Sequence, residues 1–295
     1  MAISDNPTKT RGIEKAWNRE INKRFSEFQK SVIGNLRDLN RLTVNEFNVN
    51  PDQLRAYMLF FQRELDRLIV GDWQEKYQRR SYQLSIDRAN QELKRQGVRL
   101  TSLEGGSALT ALELSAVIAS FDSIAPNLFN PVHQEALAFL FTRSFEALSG
   151  LSQEMARNVR TILFNGAQQG LGINEIARQI NERVSVGRSR ARLIAQTETI
   201  QAFQRGTINQ TTLAGEFLGE DIGLRWLTRR DNKVRHLHAG WHGKVFTQEN
   251  AFKNINISPW NCRCGLAPVI EEADTEVKRI KFTKERKQLR DLTKP

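Results

Sequence analysis

The chain has 295 residues, 39% of them hydrophobic and 26% charged, which allows one large domain or two ordinary ones and implies more exposed surface than a compact enzyme carries. No apolar run approaches the roughly 18 residues of a membrane span, and the opening MAISDNPTKTRG lacks the apolar stretch of a signal peptide, so the sequence reads as soluble and intracellular. A formal net charge of +11 points to nucleic acid, an anionic surface or an acidic partner, and two cysteines separated by one residue exclude a disulfide framework.

From Arg11 to about Asn48 the apolar positions Ile13, Trp17, Ile21, Phe25, Phe28, Val32 and Leu36 recur at helical spacing. Pro51 with Asp52 starts a second helix, whose face carries Leu54, Met58, Phe61, Leu65 and Leu68 and which is expected to continue to about Gln96. Its latter part, Trp73 to Lys94, has apolar residues too sparse for full burial and is expected to span solvent or lie along a partner. Ser102 to Ser107, with Gly105 and Gly106, and the stretch bounded by Pro126 and Pro131 are candidate linkers around a short helix, Leu109 to Phe121. A helix from His133 to Ile162 follows, then two short helices, one carrying Ile173, Ile176, Ala177 and Ile180 and one opening at Ser189.

After Gly215 the texture changes. Leu224, Trp226 and Leu227 read as a short strand, Asp231 and Asn232 as a turn, Lys244 to Phe246 as another strand, and the segment ends at Pro268. The fold class expected is therefore mainly α. Helical regions at 1–100 and 101–215, elongated in character, precede a small α/β module at 216–270 and a basic tail at 271–295.

Three of the four histidines and both cysteines fall in the C-terminal module, in RWLTRRDNKVRHLHAGWHGKVF and SPWNCRCGLAPV. His236 and His238 are two residues apart, so on a strand both rings face one side, and Cys262 with Cys264 can approach as a two-thiolate claw. Tetrahedral zinc fits that donor set. The CxC spacing is tighter than a CxxC knuckle, and His242 competes with His238 for the fourth position. The other reading of the same residues is a hydrogen-bonded His236 and two cysteines acting as small buried hydrophobes. An enzyme reading takes a histidine as general base oriented by Asp231 or Arg235, as in a metal-dependent DNA-processing enzyme. No H-E-x-x-H, G-x-S-x-G or G-x-x-x-x-G-K-[ST] pattern anchors it.

The order Trp226, Asp231, Arg235, His236, Gly243, a variable loop, then Pro259, Asn261, Cys262, Arg263 and Cys264 resembles the C-terminal signature of the phage Mu F-like head morphogenesis family. The upstream RSRARLIAQTETIQAFQRG, with Ala191, Ile194, Ala195, Thr197 and Glu198, resembles it too. Gln196 and Trp260 depart from the family pattern, and the resemblance covers roughly the second half of the chain. It implies a low-copy minor capsid protein without catalytic activity, located in the virion at the capsid interior or portal vertex and in the host cytoplasm during assembly. The implied partners are the portal protein, with the major capsid protein a further candidate, during head assembly and DNA packaging or ejection. The signature residues are then expected to hold the module together.

The tail adds Lys278, Arg279, Lys281, Lys284, Arg286, Lys287, Arg290 and Lys294 against few acids. Such a run can bind DNA non-specifically through phosphate neutralisation. It equally fits a solvated surface helix with Leu289 and Leu292 packed below.

Overall fold

The computed structural model describes residues 7–41, 51–97, 128, 130–219 and 221–270. The expected helix at Leu109 to Phe121, the linker at Ser102 to Ser107 and the basic tail from Lys278 to Lys294 lie outside the described residues. Within them the chain is mainly α, with a small three-stranded antiparallel sheet near the C-terminal end. The elements are α1 (Arg11–Arg41), α2 (Pro51–Ile69), α3 (Glu75–Arg95), α4 (Pro131–Gln169), α5 (Ile173–Leu218), β1 (Gly223–Leu227), α6 (His236–Gly240), β2 (Val245–Phe246), α7 (Gln248–Ile255) and β3 (Gly265–Val269). No described helix is long and apolar enough to cross a membrane.

The described residues form two units, each assembled from separate segments: 14–41 and 51–76 with 141–196, and 7–13 with 77–97, 130–140, 197–219 and 221–270. This replaces the linear order of 1–100, 101–215 and 216–270. The reason is helix length. The 46 residues of α5 make a rod of about 70 Å, more than one small core can cover, so α4 and α5 each give residues to both units.

The first unit is a helical core. Trp17, Ile21, Phe25, Phe28, Val32 and Leu36 of α1 are all buried, as their spacing predicts. Phe28 meets Phe61 of α2 edge-on, with ring centroids 5.4 Å apart. Tyr57 donates its hydroxyl to the Val32 carbonyl at 3.1 Å, and Arg24 lies over the Trp73 ring at 4.4 Å. The single helix expected from Pro51 to Gln96 is two helices. Gly71 takes φ +107 in the break between α2 and α3, a conformation that side chains resist.

The second unit is arranged around the C-terminal half of α5. From Thr197 to Thr211 every residue but Arg205 and Asn209 is buried. The two short helices expected here are one continuous helix, because a segment covered all round carries no single apolar stripe to read. α3 covers one side, and here the structure corrects the expectation of a solvent-spanning helix. Its inner face is Gln78, Ser81, Tyr82, Ser85, Ile86, Ala89 and Leu93. The polar members are hydrogen-bonded: Gln78 to the Leu140 carbonyl at 2.9 Å, Ser81 to the Thr199 carbonyl at 2.7 Å, and Tyr82 to His133 Nδ1 at 2.9 Å.

The sheet has strand order β2-β1-β3, with Leu224 opposite Phe246 and Trp226 opposite Leu266. Its β3 edge carries Pro268, which has no N–H to offer a further strand. Gln96, just past α3, closes that edge by donating to the Pro268 carbonyl at 2.9 Å and accepting from the Ile270 N–H at 3.0 Å.

The α3–α5 contact is close enough to need Gly206. A Cβ there would lie 2.0 Å from Ser85 Oγ and 3.0 Å from the Tyr82 carbonyl oxygen. The hydroxyl can rotate away, but the backbone oxygen cannot. Gly206→Ala is therefore expected to cost about 1–3 kcal/mol by overpacking. Gly34→Ala, on an exposed position of α1 with nothing within 4 Å of the new carbon, should gain about 0.5–1 kcal/mol. Urea denaturation of the two variants reads both signs, and an unshifted midpoint in Gly206→Ala would refute the close-packing claim.

Candidate functional site

The C-terminal module is built on Trp226, which is fully buried at the centre of β1. Around it pack Ile208 of α5, Leu224, Trp241, Phe246, Ala251, Ile255, Leu266 and both cysteines. Trp241 meets the Trp226 ring edge-on at 4.9 Å and Phe246 does so at 6.2 Å. His238 adds a third edge-on contact at 5.4 Å and stacks on Trp241 at 5.2 Å with the ring planes 16° apart. This aromatic shell fixes the imidazole plane before any polar contact is counted.

Residues 236–240 form a helical turn, not the strand on which His236 and His238 would face one side. At about 100° per residue, positions two apart point in nearly opposite directions. His238 is therefore 2% exposed within the module while His236 faces outward. The expected cluster of His236, His238, Cys262 and Cys264 is accordingly corrected to His238, Cys262 and Cys264, whose ligating atoms all lie within 4.8 Å of one another. His238 Nδ1 is 3.5 Å from Cys262 Sγ and 3.6 Å from Cys264 Sγ. Its Nε2–H donates to the Ile257 carbonyl at 3.2 Å, which leaves the Nδ1 lone pair turned to the sulfurs. His242 does not compete for this site. Its Nδ1 accepts from the Thr228 N–H at 3.0 Å, and burial, then the Arg230 guanidinium beside it, hold its pKa below the usual imidazole range.

Both cysteines are free and buried. The Cys262 thiol is pushed well down, first by its hydrogen bond with Cys264 and then by His238, while Cys264 is pushed up by the same sharing and by burial. The buried Trp226 indole N–H has no hydrogen-bond acceptor among the described residues. Chemically this is a soft N/S donor set in an apolar wall, suited to a metal ion or to a shared thiol proton.

The remaining signature residues are ties. Arg263 donates twice to Asp231, at 2.6 Å to each carboxylate oxygen, a bidentate pair that fixes the CxC segment to the turn after β1. Arg235 donates to the Trp260 carbonyl. Gly243 takes φ +80, and its N–H donates to the Trp226 carbonyl at 2.8 Å. Asn261 sits at φ +56, a left-handed position that asparagine tolerates, and its N–H donates to Thr197 Oγ1 at 3.1 Å. Asp231, Arg235, Gly243, Asn261 and Arg263 each make a hydrogen bond within this unit, while His236 faces outward.

Sequence reasoning passed over Gln201, Gln204 and Trp241. Gln201 donates to the Ile255 carbonyl and Gln204 to the Cys264 carbonyl, each at 2.9 Å. The signal was present, since Thr197, Gln201 and Gln204 recur at the spacing of one helix face among alanine and isoleucine.

The Asp231–Arg263 pair makes a pH prediction. Arg263 first, then the Lys233 N–H, hold the Asp231 carboxyl below the usual carboxylate range. A carboxylate depressed in the folded state contributes stability above its unfolded pKa of about 4 and loses it as pH falls through the folded value. The pair is partly solvated, with Asp231 33% and Arg263 17% exposed, so Asp231→Asn should cost only about 1 kcal/mol at pH 7. The gap to wild type should narrow as pH falls below about 4 and through the depressed folded value. Urea melts at neutral and acid pH check this, and an equal loss at both would remove the ion pair as the cause.

Three comparisons bear on this architecture. Residues 157–267 match the family described as Phage Mu protein F like protein. Minor head protein GP7 of Bacillus phage SPP1 is 24% identical over 143 residues, covering 44% of this chain and 46% of that one. An uncharacterized protein of Methanocaldococcus jannaschii is 24% identical over 154 residues, covering 50% of this chain and 24% of its own length. The chain thus spans less than half the length of these curated relatives, and no solved structure matches. The matched segment runs from within α4 to β3 and takes in α5, Trp226, Asp231, Gly243 and the Asn-Cys-Arg-Cys turn; over that segment the chain is similar to the Phage Mu protein F like family.

Proposed function

We propose that this chain is a minor head protein of a tailed phage that associates with the portal during head assembly and DNA packaging or ejection. The observation that carries the reading is the family match over α5 and the module, joined by the similarity to a protein named a minor head protein. The use of the signature residues supports it. Asp231, Arg235, Asn261 and Arg263 spend their polar atoms on each other, on backbone and on α5, as residues that build a rigid body do. The role proposed is structural and not catalytic, its place the capsid interior or portal vertex, and its partners the portal protein and the major capsid protein. The net charge of +11 favours company with packaged DNA through salt-sensitive phosphate contacts.

Co-sedimentation of the purified chain with assembled portal rings tests the association. Retention by rings, lost when module folding is broken by Trp226→Ala, is the expected outcome. Rings that fail to retain the wild-type chain would sink the portal assignment. A metal-dependent DNA-processing enzyme, suggested by the histidine-cysteine cluster and the positive charge, predicts instead cleavage of DNA with divalent metal that is lost in His238→Ala. The burial of all three ligand residues argues against phosphate reaching them.

A further inference from the structure

We infer that His238, Cys262 and Cys264 form a structural zinc site that locks the CxC segment to α6. Zinc about 2.0–2.1 Å from an imidazole nitrogen and about 2.3 Å from a thiolate sulfur, at tetrahedral angles, needs nitrogen and sulfur about 3.6 Å apart. The two separations in the structure are 3.5 and 3.6 Å. A thiol donating to Nδ1 would give a similar distance, so the surroundings decide.

Nδ1 has one lone pair and can accept one thiol proton, yet two sulfurs converge on it at equal range. A single ion on that lone pair accounts for both. The other ring nitrogen donates to the Ile257 carbonyl, the outer contact that metal-ligating histidines use to fix tautomer and orientation. Trp226, whose ring packs edge-on against His238, belongs to the same buried cluster as both cysteines, so the site has an apolar wall in which soft N/S ligation is favoured.

Charge balance agrees. His238 and Cys264 are 2% exposed and Cys262 is 4% exposed, and a bare dication or a pair of thiolates is costly in such a place. Two thiolates, a neutral imidazole and a divalent ion sum to zero, the two thiol protons passing to solvent on binding. Nitrogen and sulfur donors select zinc over magnesium or calcium. Among the described residues no fourth histidine, cysteine or carboxylate joins the cluster, so three protein ligands hold the ion, and their burial, which keeps substrate away, makes its role structural.

The test uses the full chain, expressed with zinc and purified without chelator. Elemental analysis should find about one zinc per chain, lost in Cys262→Ser and Cys264→Ser and retained in His236→Ala. Because either cysteine variant can fail to fold, the wild-type protein carries a second arm. Stripping with a strong chelator should expose two reactive thiols, and cobalt(II) should restore their protection with a thiolate-to-cobalt charge-transfer band. A reduced wild-type chain that holds no metal and takes up neither zinc nor cobalt overturns the proposal. Metal retained when both cysteines are replaced overturns it too, and so does stoichiometric copper(I) in place of zinc. Each readout is made on the isolated chain, so failure at the portal leaves this inference standing and the converse also holds.

Discussion

The burial of α5 on all sides between Thr197 and Thr211 is the constraint on which the rest of its unit depends. A helix satisfies its own backbone but not its side chains, and this stretch buries Thr197, Glu198, Thr199, Gln201, Gln204, Thr207, Gln210 and Thr211. Each buried polar group without a partner would cost on the order of 1–3 kcal/mol. The surrounding chain therefore arrives with complementary atoms. Gln201 and Gln204 take carbonyls at the end of α7 and in the CxC segment, Thr197 takes the Asn261 N–H, and Gln210 donates to Asn90 of α3 at 2.8 Å. Apolar burial alone would let α3 or the module slide along the helix. These directional bonds set the register.

A second layer of order follows from the first. With the CxC segment held on α5 through the Cys264 carbonyl, both sulfurs are brought to the ring of His238. Trp226 and Trp241 hold that ring from two directions, and the Arg263–Asp231 pair closes the opposite side of the same segment. The module is small, with one five-residue strand paired to strands of two and five residues. Hairpins of that size are marginal by themselves. Its stability rests on α5 and on cross-links between loops more than on the ladder.

How much of this the sequence discloses depends on what kind of pattern a residue belongs to. The apolar stripe of α1 is fully legible, since Trp17 to Leu36 bury one face and expose the other. β1 and the turn at Asp231 are legible for similar reasons, alternation and turn chemistry. α3 is misread because its inner face uses glutamine and serine, and a hydrophobic pattern has no symbol for a polar residue whose partner lies 62 or 118 positions away. α5 is split wrongly because a helix buried all round shows no period. The expected cluster comes together in part, for a geometric reason: positions two apart converge where the chain is not helical, as at Cys262 and Cys264, and diverge in a helical turn, as at His236 and His238. In the turn of α6 one of them must leave.

The boundaries of the family match make sense in these terms. The matched segment holds the α5 stretch that needs polar partners and the module that supplies them, from Thr197 through Asn261 to Cys264. Neither half is satisfied without the other. Gln201 without the Ile255 carbonyl is a buried amide lacking its acceptor, and the CxC segment without Gln204 loses the contact that aims both sulfurs at His238. The ties run largely to main-chain atoms, which every sequence provides, so they dictate few side chains. The residues that must stay are those whose side chains reach: the helix amides, the Asp231–Arg263 pair, the left-handed Asn261 and the cysteines that close on one imidazole.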